Sequence, residues 1–170
     1  ALLFGLTALL FALPLLPHPK APPAAVVDAA NCTGCDRCHA DCPFAAISMA
    51  PHPLRPAYRL AVVDPDLCAG CGICAGSCPS ATPFRKRDTL VTGIDMPQQP
   101  VNALREQLEG ALALLAGRSK IVVFSCARAA DASPLAAIDT AVIPLLCTGM
   151  LPPAFVEYAL RSGADGVFLS

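Results

Sequence analysis

Eight of the ten cysteines fall into two groups with one spacing. Asn31-Cys32-Thr33-Gly34-Cys35-Asp36-Arg37-Cys38-His39-Ala40-Asp41-Cys42-Pro43 recurs, 36 positions on, as Leu67-Cys68-Ala69-Gly70-Cys71-Gly72-Ile73-Cys74-Ala75-Gly76-Ser77-Cys78-Pro79. Each group reads C-x2-C-x2-C-x3-C-P. Disulfide frameworks belong to small secreted domains, whereas clustered C-x-x-C spacings elsewhere more often bind metal. Zinc usually takes two well-separated C-x-x-C pairs, not three cysteines in one tight run followed by Cys-Pro. A cubane [4Fe–4S] cluster presents four irons, each needing one thiolate, and cysteines at i, i+3 and i+6 wrap three of them in a single loop. Two such runs call for two [4Fe–4S] clusters and one-electron chemistry. Gly34, Gly70 and Gly72 leave space for backbone N–H groups to approach sulfur, one way a protein sets a potential.

With both motifs complete through Pro43 and Pro79, residues 26–84 resemble the bacterial dicluster ferredoxin family. The resemblance implies an α+β ferredoxin-like domain and low-potential one-electron transfer between two clusters close enough for rapid exchange. In two-cluster ferredoxins the fourth cysteine of each motif reaches the other cluster. Carried onto this chain, that places Cys32, Cys35, Cys38 and Cys78 on one cluster, and Cys68, Cys71, Cys74 and Cys42 on the other. The connection between the motifs is longer than in the smallest family members. Gly70-Cys71-Gly72-Ile73-Cys74-Ala75 formally fits a dinucleotide fingerprint, but it consists of cluster ligands and lacks the strand–helix setting. His39 reads as a flanking residue, because four thiolates already suffice, and His18 as a solvated linker residue.

The elements that must position these loops are short. Strand-like runs at 25–27 and 60–63 precede the two motifs, with Asp28 and Asp64 near the turns. Residues 46–49 are expected in a hairpin, and 55–59 in the connection between halves. Arg85-Lys86-Arg87 reads as a solvated edge. Val101, Leu104, Leu108, Leu112 and Leu115 recur at three- and four-residue steps, giving one helical face that ends at Gly117. The last third alternates: strand at 121–124, short helix at 134–138, strand at 141–146, helix from Pro152-Pro153 to Ser162, strand at 166–170. Helices between short apolar strands predict a partial α/β domain with a parallel sheet. Cys126 and Cys147 then sit at the carboxyl ends of parallel strands, where open α/β sheets place ligands. Two buried free cysteines are the alternative; a nucleophile is disfavoured because no His stands near.

Residues 121–170 also resemble the delta-type iron–sulfur subunit of methyl-viologen-reducing hydrogenases. The residues carrying this are Phe124-Ser125-Cys126, Cys147-Thr148-Gly149-Met150, the helix over 155–160 and Gly163-Ala164-Asp165-Gly166-Val167. The resemblance implies a [2Fe–2S] cluster with Cys126 and Cys147 as candidate ligands, completed by residues beyond Ser170. It also implies electron carriage between hydrogenase and heterodisulfide-reductase-type modules.

Residues 1–16 are almost wholly apolar. As a helix they span roughly 24 Å, short of the ~30 Å hydrocarbon layer, and are read as the end of a transmembrane helix. A signal-peptide core and a buried soluble helix are the rivals. The chain starts without Met and stops on an apolar run, so a longer parent protein is expected. The expected plan is a transmembrane end over 1–17, a Pro-rich linker over 18–24, and the dicluster domain over 25–92. A connecting amphipathic helix over 93–119 and the truncated α/β domain over 120–170 follow. A net charge of -1 gives no electrostatic case for nucleic acid. The function expected is a membrane-anchored electron-transfer component with its redox domains on the cytoplasmic side of the inner membrane. It is read as part of an oxidoreductase complex more than a catalyst on its own. The alternative is an iron–sulfur subunit whose catalytic site lies in the C-terminal domain or outside this stretch.

Overall fold

The computed structural model describes residues 22–86 and 88–170. The segment expected to end a transmembrane helix, residues 18–21 of the linker, and Arg87 lie outside the described residues. Among the described residues no helix is long and apolar enough to cross a membrane.

Both cysteine motifs begin with one local device. Asp28 accepts Ala30 N at 2.8 Å on its carboxylate and Cys32 N at 2.8 Å on its carbonyl. Asp64 repeats this with Asp66 N at 2.9 Å and Cys68 N at 3.1 Å. These Asp side chains close turns that supply the backbone with local partners. The chain then passes through a left-handed residue, Asp36 (φ 68) or Gly72 (φ 80), into a one-turn helix. These helices are α1 (Arg37–Ala40) and α2 (Ile73–Gly76). Asp tolerates the left-handed region better than most residues with a side chain, and Asp36 carries His39 Nδ1 at 3.2 Å and Arg59 Nη1 at 3.6 Å.

Two antiparallel pairs hold the loops. β1 (Val26–Val27) pairs with β4 (Ile94–Asp95), in the register Val26↔Asp95. β2 (Ile47–Pro51) pairs with β3 (Arg59–Val63), from Ile47↔Val63 to Pro51↔Arg59. The expected hairpin is therefore present, and Arg59 belongs to a strand rather than to the connection. β4 was not foreseen; it lies at the start of the stretch read as the connecting helix.

Helix α3 (Val101–Leu114) buries Val101, Leu104, Leu108 and Leu112, the stripe the periodicity marks. Asp95 stands in for a capping residue, accepting Val101 N at 3.0 Å, and burial raises its carboxyl above the usual range. Arg105, 7% exposed, donates to Asp88 O at 2.8 Å and so ties the preceding loop to this helix. Gly110 is exposed, and a Cβ there would meet nothing within 4 Å. Gly110→Ala is expected to stabilise the protein by about 0.5–1 kcal/mol, read as a higher denaturation midpoint.

The last third forms a three-stranded parallel sheet with order β6-β5-β7. Its strands are β5 (Ile121–Cys126), β6 (Thr140–Leu145) and β7 (Gly166–Leu169), with α4 (Ala154–Arg161) before the last. Gly163 ends α4 at φ 106, as its position predicts. The expected helix at 134–138 is only a 3-10 turn, Ser133–Leu135. Pro134 starts it, but Ala137 already bridges to Thr140, and the chain is drawn into β6 before a second turn can form. Val122, Phe124, Ile143, Leu145 and Phe155 join one continuous core with Ile94, Met96, Leu104 and Leu108. Gln99 adds a polar link: its amide donates to Pro144 O at 2.6 Å and accepts from Leu146 N at 3.0 Å, pairing with the end of β6 as a strand backbone would.

Candidate metal centres

Cys32, Cys35, Cys38 and Cys78 line one cavity, walled by Met49, Ala61 and Ile94. Cys42, Cys68, Cys71 and Cys74 line a second, walled by Ala46, Ile47 and Met96. The fold thus brings three cysteines of each motif together with the fourth of the other. It does so because each fourth cysteine follows the one-turn helix, α1 or α2, that leads away from its own loop, and α1 and α2 adjoin, while the β1–β4 and β2–β3 pairs hold the halves side by side.

Among the described residues no three His, Cys, Asp or Glu side chains form a grip for a single metal ion. Each cysteine quartet surrounds a space instead, as a group with several irons requires. Burial, and then repulsion from Cys32, Cys35 and Cys78, pushes the Cys38 thiol up to about 11. Burial, followed by Cys71 and more weakly Cys38 and Cys68, pushes Cys74 up to about 12. Four thiolates in an apolar pocket resist ionisation without a compensating cation, and metal binding is what deprotonates such sites. The quartets fit the group. α1, which carries Cys38, packs against α2, which carries Cys74, so the two sites adjoin.

The glycines have a second role besides space for N–H groups. A Cβ on Gly34 would strike the carbonyl oxygen of Arg59, and one on Gly72 would lie 2.8 Å from Met150 Cβ. The first therefore admits strand β3, and the second admits the C-terminal part of the chain. His39 turns to Asp36 and does not line either cavity.

Three side chains that the sequence reading passed over stand at the first loop. Arg55 Nη2 donates to Cys32 O at 2.6 Å and to Ala29 O at 2.9 Å. His52, 2% exposed, contacts Ala29 O through Nε2 at 2.8 Å. Ser80, 5% exposed, places Oγ 3.0 Å from Cys78 Sγ. Only the unusual length of the Pro51-His52-Pro53-Leu54-Arg55-Pro56 connection hinted at the first two.

Cys126 and Cys147 are treated differently by the fold. Cys126 ends β5 and opens onto a cleft of about 510 Å³ with Ser125, Ala127 and Asp131. Its sulfur lies 3.9 Å from Leu146 O, so the two cysteines stand on neighbouring strand ends. Cys147 does not line that cleft. It precedes a 3-10 turn, Thr148–Met150, that packs directly on α2. A Cβ on Gly76 would run into Gly149 O and stand 2.9 Å from Met150 O. The second motif and the turn that follows β6 are therefore packed backbone against backbone.

No curated protein and no solved structure matches the chain. Residues 31–82 match the model of the 4Fe-4S dicluster domain. That stretch spans both motifs, and a 4Fe-4S dicluster domain, with the iron–sulfur electron-transfer role it supports, is present in this chain.

Proposed function

We propose that the chain relays single electrons through two [4Fe–4S] clusters, one held by Cys32, Cys35, Cys38 and Cys78 and the other by Cys68, Cys71, Cys74 and Cys42. The observation that carries this is the pair of apolar cavities, each ringed by three cysteines of one motif and the fourth of the other. When bound, such clusters accept and give up one electron each. The residues of this chain do the rest. Cys38 and Cys74 sit on α1 and α2 where the two sites adjoin, so the distance between sites is fixed by helix packing. Met49, Ala61, Ile94, Ala46, Ile47 and Met96 exclude water and keep the local dielectric low. Gly76 and Gly149 bring the second site against the C-terminal sheet, which gives the relay an order along the chain.

The proposal extends at both ends. Cys126 and Cys147 are two of the four ligands a [2Fe–2S] cluster needs, and their place on adjacent strand ends supports such a site with further ligands from elsewhere. Residues 1–17 would anchor the protein in the inner membrane with its redox domains in the cytoplasm. Its partners would be redox proteins of the hydrogenase or heterodisulfide-reductase type. Anaerobic reconstitution of the full protein tests the reading by iron, acid-labile sulfide and EPR. About eight irons per chain is the result expected for two cubanes, and about ten adds the [2Fe–2S] site. Zinc without labile sulfide would sink it.

A further inference from the structure

The two motif loops match in spacing and turn geometry, yet their polar surroundings are unequal. At the first loop the Arg55 guanidinium is fixed on the carbonyls of Cys32 and Ala29, with Tyr58 stacked 5.3 Å from Cζ. His52 packs into that corner. Leu54 N and Arg55 N both donate to its Nδ1 at 3.1 Å, and its Nε2 lies 2.8 Å from Ala29 O, 3.3 Å from Arg55 Nε and 3.0 Å from Arg55 Nη2. Ser80 Oγ accepts Gly93 N at 2.8 Å. With that lone pair taken, and Cys78 deprotonated as a ligand, the Ser80 hydroxyl proton is directed at Cys78 Sγ, 3.0 Å away.

The second loop lacks each of these. Phe44 occupies the position, 36 residues earlier, that matches Ser80 and follows Cys42. Among the described residues no Arg, Lys or His side chain hydrogen-bonds to residues 64–78; the contact there is the neutral amide of Gln98 on Gly70 O at 3.3 Å. Other charges do not cancel the difference. Asp28 and Asp64 are common to both halves; Asp36 lines the first cavity where the second has Gly72, but it is paired with Arg59; Arg37 and Asp41, of opposite charge, face one cleft with Gly76 and Ser77; and Asp66 adds a carboxylate on the second side where the first has Ala30.

We propose that the site of Cys32, Cys35, Cys38 and Cys78 is the more easily reduced of the two, so that an electron on the pair rests there, away from the C-terminal sheet. This rests on the two-cluster reading above. A reduced cluster carries one more negative charge, which a fixed cation and a hydrogen bond to a ligand sulfur stabilise. The exchange moves one electron: one cluster is oxidised, the other reduced, and no proton or bond changes place. Arg55 and Ser80 are positioning residues in this sense, acting through Cys32 and Cys78.

The test is a potentiometric titration of the reconstituted full protein, following hyperfine-shifted cysteine Hβ NMR signals assigned to individual cysteines. In the wild type the signals of Cys32, Cys35, Cys38 and Cys78 are expected to move first. Arg55→Met is expected to lower the electron's preference for that site about tenfold, which is about 59 mV for one electron, with the other four cysteines unmoved. Arg55→Lys keeps the charge and is expected to recover most of it. Ser80→Ala is expected to shift the same set severalfold in the same direction. The proposal is overturned if the Cys42, Cys68, Cys71 and Cys74 set reduces first in the wild type, a result needing no variant. It is also overturned if Arg55→Met moves both sets equally. Failure to assemble two cubanes at all would instead refute the reading on which it stands.

Discussion

Cys42→Ala is expected to remove the cluster of the motif that begins 26 residues later, at Cys68, and to spare the cluster of its own motif. Cys42 lines the cavity with Cys68, Cys71 and Cys74, not the one with Cys32, Cys35 and Cys38. Iron is expected to fall from about eight to about four per chain. The surviving hyperfine-shifted signals should belong to Cys32, Cys35, Cys38 and Cys78. Cys78→Ala is expected to give the mirror result. Loss of the Cys32, Cys35 and Cys38 signals on removing Cys42 would mean that each motif completes its own site. The effect is large because, among the described residues, no other cysteine, histidine or carboxylate side chain lines that cavity. His39 is held on Asp36, Cys126 ends β5, and Cys147 lies past β6 before the 148–150 turn, neither cysteine lining the cavity of Cys68, Cys71 and Cys74.

Gly76→Val is expected to be the most destabilising of the glycine substitutions away from the left-handed positions. A new Cβ there meets backbone, the carbonyls of Gly149 and Met150, and backbone cannot step aside as a side chain can. Overpacking of this kind costs about 1–3 kcal/mol. Gly149→Ala meets mainly Ile73 Cγ1, at 2.9 Å, and is expected to cost less because that side chain can shift. Denaturant titration of the reconstituted protein measures both, with Gly110→Ala as the opposite-signed control. Equal stability of Gly76→Val and wild type would mean that α2 and the 148–150 turn are not held together in solution. Limited proteolysis gives a second readout, since separation would expose the linker between β4 and α3.

The sequence was most legible where chemistry dictates spacing. Cluster ligands must lie within one loop, so the cysteines declared themselves, and the apolar stripe of α3 followed the helical period. The parallel sheet was also readable, since Ile121–Cys126 and Thr140–Leu145 are short apolar runs with turn residues between them. Other features were hidden for physical reasons. β4 is two residues long and has no periodicity to detect. The 3-10 turn at Ser133–Leu135 carries Pro134 at a favourable helix start, and only pairing with β6 stops it. Arg55 and His52 act across 23 to 26 residues on Cys32 and Ala29, a contact that no local pattern encodes. Likewise, the glycines of the second motif were read for what they offer sulfur, while Gly72 and Gly76 are shaped by Met150 and Gly149, far along the chain.

The pairing of Val26 with Asp95 has a consequence for how such a protein comes to exist. Partners in a sheet lie about 5 Å apart, so the chain enters the dicluster unit and leaves it at nearly one point. A segment with adjoining ends can be spliced into a surface loop of another protein, or have new segments joined at either end, without stretching its host. Such a unit is portable. Gene fusion could set it between new flanking segments, and the adaptation would fall on the residues the new neighbour meets, Gly72, Gly76, Ile94 and Met96 among them.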